Sequence, residues 1–136
     1  MSRGISDRLV RGGGMSAPLR VLLVEDQLEL RDLLADVLQD LGMDVRTADD
    51  GQSALRILER HPCDVLFSDI HMPGPTSGID LAAHVLATRP SARVILASGH
   101  PRFQLPPLPA GAHFLQKPFR LNQFMELVRE QAATPV

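Results

Sequence analysis

The sequence is short of the residues that staple, span or anchor a protein. It has one cysteine, Cys63, and one lysine, Lys117, against 13 arginines. A single cysteine excludes a disulfide framework and a cysteine zinc site. At the head of an apolar run, Cys63 reads as a buried structural thiol. No apolar run approaches the ~18 residues of a membrane span. The opening stretch MSRGISDRLVRGGG carries charge but no apolar h-region, so it is not a signal peptide and the cytoplasm is the expected location. Neither sign of charge dominates: the net charge is −2 and the pI near 6.2. That balance argues against a nucleic-acid or membrane surface held by bulk charge. Where arginine fills nearly every basic position, a lone lysine points to a site that wants a compact ammonium.

What is present suits one compact domain. The chain has 136 residues, 44% of them hydrophobic, enough for a single core. Residues 1–18 read as a disordered extension, because Gly12-Gly13-Gly14 and Pro18 break any pattern, and Met15 offers an alternative start. The domain is expected over 19–131, with 132–136 as a tail too short for an output module.

Apolar runs and amphipathic stretches alternate along that span. Arg20–Val24 is a buried strand ending in Glu25-Asp26. Leu30, Leu33, Leu34, Val37, Leu38 and Leu41 then fall on one face of a helix, closed by Gly42. Met43–Ala48 alternates as a second strand. Asp50-Gly51 reads as a turn, and Gln52–Arg60 as a helix stopped by Pro62. The run at 64–68 leads straight into Asp69, with Pro73-Gly74 beyond it, the pattern of a fully buried parallel strand. Ile79, Ala82, Ala83 and Leu86 mark a third helix ended by Arg89-Pro90. Arg93–Ala97 and His113–Gln116 are strands running into Ser98-Gly99 and Lys117-Pro118. Leu121, Phe124, Met125 and Val128 define the last helix. Between those strands Pro101, Pro106, Pro107 and Pro109 argue against a regular fourth helix, since an interior proline costs roughly 3 kcal/mol. Strict alternation of this kind implies a parallel sheet with helices on both faces.

Four strand ends carry chemically suggestive residues: Glu25-Asp26, Asp69, Ser98 and Lys117. A parallel sheet brings them to one edge, where open α/β folds place their ligands. Three converging carboxylates repel one another and need a cation. Oxygen-only donors with room for water and phosphate suit Mg²⁺, with Mn²⁺ as the other ion such a site accepts. A hydroxyl and an ammonium opposite that metal could hold a phosphoryl group by charge-assisted hydrogen bonds.

The segments VLLVEDQ, FSDIHMPG, VILASGH and FLQKPF resemble, in order and approximate spacing, the four signature segments of response-regulator receiver domains. The resemblance covers residue 19 to about 131. It implies a flavodoxin-like, doubly wound five-stranded parallel sheet of order 2-1-3-4-5. It also implies two-component signalling, with a sensor histidine kinase or phosphotransfer protein upstream; the short tail and balanced charge add the expectation of an unknown protein effector downstream and no direct contact with nucleic acid or membrane. By position, Asp69 resembles the phosphoacceptor. Asp26 resembles the direct carboxylate ligand of Mg²⁺, Glu25 one acting mainly through water, and His71 a ligand through its backbone carbonyl. Ser98 resembles the switch hydroxyl, with Gly99 keeping access open, and Lys117 the lysine that pairs with the phosphoryl group. The Lys117-Pro118 peptide is implied to be cis, as an X-Pro bond allows. Phe114 takes the place of the switch aromatic. Such a protein catalyses its own phosphorylation and dephosphorylation without being a conventional turnover enzyme.

The departures from the family pattern are specific. Phe114 lacks a phenolic hydroxyl, so it can bury but cannot hydrogen-bond outward. The link from Ser98 to Lys117 is short and proline-broken, as in a subset of stand-alone receivers, and most of the usual fourth helix is expected to be missing. His71 and His100 flank the site, whereas His61, His84 and His113 read as structural or solvent-facing. An aspartate-nucleophile phosphatase of the haloacid-dehalogenase type needs a second acid where this chain has His71. Val24-Glu25-Asp26-Gln27 offers no glycine loop for a dinucleotide. The alternative that stands is a receiver-like module that signals by binding alone, without phosphorylation.

Overall fold

The computed structural model describes residues 17–133. Most of the expected extension and the last residues of the expected tail therefore lie outside the described residues; Ala17 and Pro18 belong to no helix or strand. The elements run β1 (Arg20–Val24), α1 (Leu28–Asp40), β2 (Asp44–Ala48), α2 (Gly51–Leu58), β3 (Val65–Asp69), α3 (Gly78–Thr88), β4 (Arg93–Ser98), a 3-10 turn (Arg102–Gln104), β5 (His113–Gln116) and α4 (Leu121–Ala133). The strands form one parallel sheet in the order β2-β1-β3-β4-β5. This is the flavodoxin-like order that the family resemblance implies, and the proline-broken link holds only a short 3-10 segment in place of a helix.

Strand alternation splits the core into two layers. Leu22, Val24, Leu66 and Leu96 pack toward α2 and α3, with Ala54, Leu81, Ala82 and Val85. Val21, Leu23, Val65, Phe67 and Ile95 pack toward α1 and α4, with Leu34, Leu38, Phe124 and Val128. Fully burying each large side chain contributes roughly 1.5–3 kcal/mol. Phe67 anchors the second layer, meeting Phe124 edge-on at 5.0 Å between ring centroids and Phe119 at 6.1 Å.

Helix faces differ from the periodic reading in two places. Leu33 is 49% exposed, because α1 turns Leu34, Ala35 and Leu38 inward instead. In α3 the buried residues are Gly78, Leu81, Ala82 and Val85, while Ala83 is exposed. Asp80, His84 and Thr88, spaced i, i+4 and i+8, mark its solvent side, and Ala83 lies beside that polar stripe. Asp50 and Gly51 also do more than turn the chain. Asp50 caps α2 by accepting from the Ser53 N–H at 2.8 Å, and Gly51 is its first residue.

At the amino edge of the sheet, Asp64 ties three segments together. It accepts from the backbone N–H of Arg20 at 2.8 Å, from the Arg20 guanidinium at 3.1 and 3.2 Å, and from Arg89 at 2.7 Å. Burial pushes its carboxyl up, but the bonds from Arg20 outweigh that and hold it below the usual carboxylate range. The opposite, carboxyl edge is left free to carry chemistry.

Gly78 packs against the backbone at the end of β3. A methyl group there would overlap the carbonyl oxygen of Asp69, whereas one on Gly99 would meet nothing. Gly78→Ala should therefore cost about 1–3 kcal/mol in urea denaturation, the usual range for overpacking. Gly99→Ala should stay within about 0.5 kcal/mol of wild type. Equal costs for the two would contradict this close approach.

Candidate functional site at the carboxyl edge of the sheet

Register brings the strand ends to one level. Val24 pairs with Ser68, Asp69 with Ala97, and Ser98 with Gln116. Glu25, Asp69, Ser98 and Lys117 therefore emerge side by side. Backbone bonds continue the ladder just past the strands, with Glu25 N–H to the Ala48 carbonyl at 3.1 Å and Lys117 N–H to the Ser98 carbonyl at 2.8 Å.

Lys117 joins the carboxylates. Its ammonium lies 2.8 Å from Glu25 Oε1 and 3.0 Å from Asp69 Oδ1. Glu25 is fully buried and Asp69 is 7% exposed, while Asp26 is open to solvent. The other Glu25 oxygen, Oε2, accepts from the Gln27 N–H at 3.0 Å, just ahead of α1. Arg31, one turn into α1, donates to the Glu25 carbonyl oxygen at 2.9 Å. The roles of Gln27 and Arg31 were missed from the sequence, although their positions after a strand-ending acid are where a helix start would meet it.

Burial, the largest influence, pushes the Asp69 carboxyl up. The hydrogen bond from Lys117 pulls it down and the charge of Glu25 pushes it up again, leaving it at about 6. For Lys117, burial lowers the ammonium, but its bonds to Glu25 and Asp69 prevail and hold it above its ordinary value.

Ligand oxygens of Glu25, Asp26 and Asp69 all lie within 4.8 Å of one another. A set of oxygen donors on one side, with Asp26 facing solvent, fits a hard divalent cation that keeps part of its water.

The remaining expected residues fall around this group. Ser98 is buried and its Oγ accepts the His100 N–H at 2.9 Å. Gly99 is exposed, and Phe114 is half-buried against the α2/α3 layer. The Lys117-Pro118 peptide is cis. His71 is exposed, its ring 4.6 Å from that of His100, a pairing the sequence did not signal. His61, His84 and His113 are exposed, and Cys63 is buried with its thiol pushed by burial to about 11.

A doubly wound parallel sheet with an acidic cluster and a lysine at its carboxyl edge defines the class: an α/β protein with a candidate cation site at that edge. The chain belongs to the response regulator receiver domain family, whose model matches residues 21–129. It is similar to the response regulator receiver protein CpdR of Brucella abortus, 32% identical over 114 residues, which cover 82% of this chain and 94% of that one. It spans only 25% of the length of PilR from Pseudomonas aeruginosa, to which it is 34% identical. Among solved structures it resembles the receiver domain of the hybrid histidine kinase CckA, with TM-score 0.69 and 33% identity over 82% of this chain and 97% of that one. It also resembles TrrA from Thermotoga maritima in complex with Mg²⁺–BeF, with TM-score 0.73 and 28% identity over 83% and 98% of the two chains.

An acid held above its ordinary value favours the folded state only while protonated. For Asp69 that contribution is present below about pH 4 and lost as the pH rises through about 6. Without Mg²⁺, Asp69→Asn should therefore raise Tm at pH 7.5 by at least about 2 °C. The gain should vanish toward pH 4 and shrink when Mg²⁺ is added. A variant less stable than wild type at pH 7.5 would refute the strained carboxylate.

Proposed function

We propose that the chain is a response regulator that takes a phosphoryl group onto Asp69 from a sensor histidine kinase or histidine phosphotransfer protein in the cytoplasm. The signal then passes to a protein effector through contacts that depend on phosphorylation. The observation that carries this reading is the geometry of Asp69. It is a buried strand-end carboxylate 3.0 Å from a lysine ammonium, with Glu25 and Asp26 close by on its acidic side.

An Asp69 oxygen attacks phosphorus, the bond from phosphorus to the donor nitrogen breaks, and its electron pair leaves with the donor imidazole. Glu25, Asp26, Asp69 and the His71 carbonyl are the groups that would hold Mg²⁺, or Mn²⁺, whose charge offsets that of the transferring group. Lys117 bears on an oxygen of the acyl phosphate, and the Ser98 hydroxyl can donate to another. The product adds about −1.5 to −2 charge at the sheet edge. Phe114, half-buried and without a hydroxyl, answers only by burying more deeply. The protein thus promotes transfer to and from itself and turns over no separate substrate.

Incubation with acetyl phosphate and Mg²⁺, read by intact mass, should add one phosphoryl group to wild type and none to Asp69→Ala. Lys117→Ala should slow uptake by at least about tenfold, as loss of a charge stabiliser in phosphoryl transfer does. Labelling of Asp69→Ala would move the acceptor elsewhere. Failure of the folded wild type with both acetyl phosphate and a panel of phosphorylated kinases would favour a module that signals by binding alone.

A further inference from the structure

His71 and His100 stand two residues beyond Asp69 and Ser98, on the loops that follow β3 and β4. Neither imidazole has a part in the phosphoryl chemistry above. Both residues are exposed, yet their ring centroids are 4.6 Å apart and their planes are tilted by 53°. His100 is also fixed at its root, because its backbone N–H donates to Ser98 Oγ at 2.9 Å.

That separation has a chemical meaning. An imidazole nitrogen binds Zn²⁺ in the ring plane at about 2.0–2.1 Å, which puts the ring centroid about 3.2 Å from the ion. Two such rings at angles between a right angle and the tetrahedral angle hold their centroids about 4.5–5.2 Å apart. The pair already has this spacing, with the two ring planes tilted rather than parallel. We propose that the His71 and His100 side chains form a site for a borderline transition ion such as Zn²⁺, separate from the pocket of three carboxylates. Donor chemistry keeps the two apart: imidazole suits Zn²⁺, Ni²⁺ and Cu²⁺, whereas carboxylate, carbonyl and water suit Mg²⁺. With both rings open to solvent, water fills the remaining positions on the ion. Bound there, the ion ties the loop after β3 to the link after β4, next to Asp69 and Ser98.

Competing donors are few. The other histidines, His61, His84 and His113, are exposed elsewhere, and the chain's lone thiol, Cys63, is buried. The test is calorimetric titration of the untagged chain with Zn²⁺ in saturating Mg²⁺, followed by X-ray absorption at the zinc edge. Wild type and His61→Ala should bind a single Zn²⁺ carrying two imidazoles. His71→Ala and His100→Ala should each weaken binding by at least about tenfold, since even an outer-shell partner is worth about 10–100-fold in metal affinity. Undiminished binding in either variant would overturn the proposal, and so would displacement of Zn²⁺ by Mg²⁺, which would put the ion among the carboxylates. None of these outcomes depends on whether Asp69 accepts phosphate.

Discussion

One ammonium holds the carboxyl edge of the sheet together. Lys117 reaches Glu25 at 2.8 Å and Asp69 at 3.0 Å, and Glu25 is wholly buried. Burying an ionised carboxylate without a partner costs several kcal/mol even after relaxation. A single cation answering two such groups therefore makes their burial tolerable. Sheet order requires the reach. Lys117 follows β5 at the edge of the sheet, whereas Glu25 follows β1, beyond β4 and β3. A flexible stem ending in a point charge can serve two oxygens on different strands, and a planar guanidinium fork is less suited to that task. This gives a physical reason for the only lysine in an arginine-rich chain. The pairing also leaves a deficit of positive charge, with Asp26 in no ion pair among the described residues, and a hard cation would complete the balance.

The link between β4 and β5 shows how the fold manages without a helix there. Leu105, Leu108, Ala112 and Phe114 all pack against the α2/α3 layer. Prolines between them restrict the backbone at positions where no helical hydrogen bond has to form. The link is thus held by side-chain anchors set apart along an extended path. Phe103, on the 3-10 turn, is left 84% exposed. Because Phe114 shares its packing layer with Leu105 and Leu108, a change in the depth of its ring acts on the same layer that anchors the link.

Much of this arrangement was legible in the sequence, for a physical reason. Central strands of a parallel sheet are buried on both faces and read as unbroken apolar runs. The polar residues at or just past their ends then stand out, which picked out Glu25, Asp69 and Ser98, whereas Lys117 follows the edge strand β5 and stood out as the one lysine. Helix faces were less legible. Leu33 fits the periodic stripe of α1 yet is half-exposed, and in α3 the small Ala83 lies beside the exposed polar stripe of Asp80, His84 and Thr88. Contacts between loops were not legible at all. His71 and His100 meet because β3 and β4 are neighbours in register, and nothing local to either residue signals the other. Gly51 and Gly78 are similar cases. A Cβ on Gly51 would come within 2.6 Å of Thr76, and one on Gly78 would strike the Asp69 backbone, so both are dictated by distant chain.

The electrostatics of Asp69 express a conflict between folding and chemistry. A carboxylate that is easy to keep ionised is well solvated or well paired, and under the proposed function it would gain less by taking on a phosphoryl group. Burial and the neighbouring charge of Glu25 raise the free energy of the ionised form, while Lys117 limits the rise so that the group still ionises near neutral pH. Perturbation of this kind, from desolvation together with a specific charged partner, concentrates where function requires it. The stabilising contributions come from elsewhere in the molecule: the Phe67 cluster beneath the edge, the Asp64 network at the opposite edge, and the capped start of α3. A strained carboxylate can persist because two apolar layers and the far edge of the sheet hold the strand that carries it.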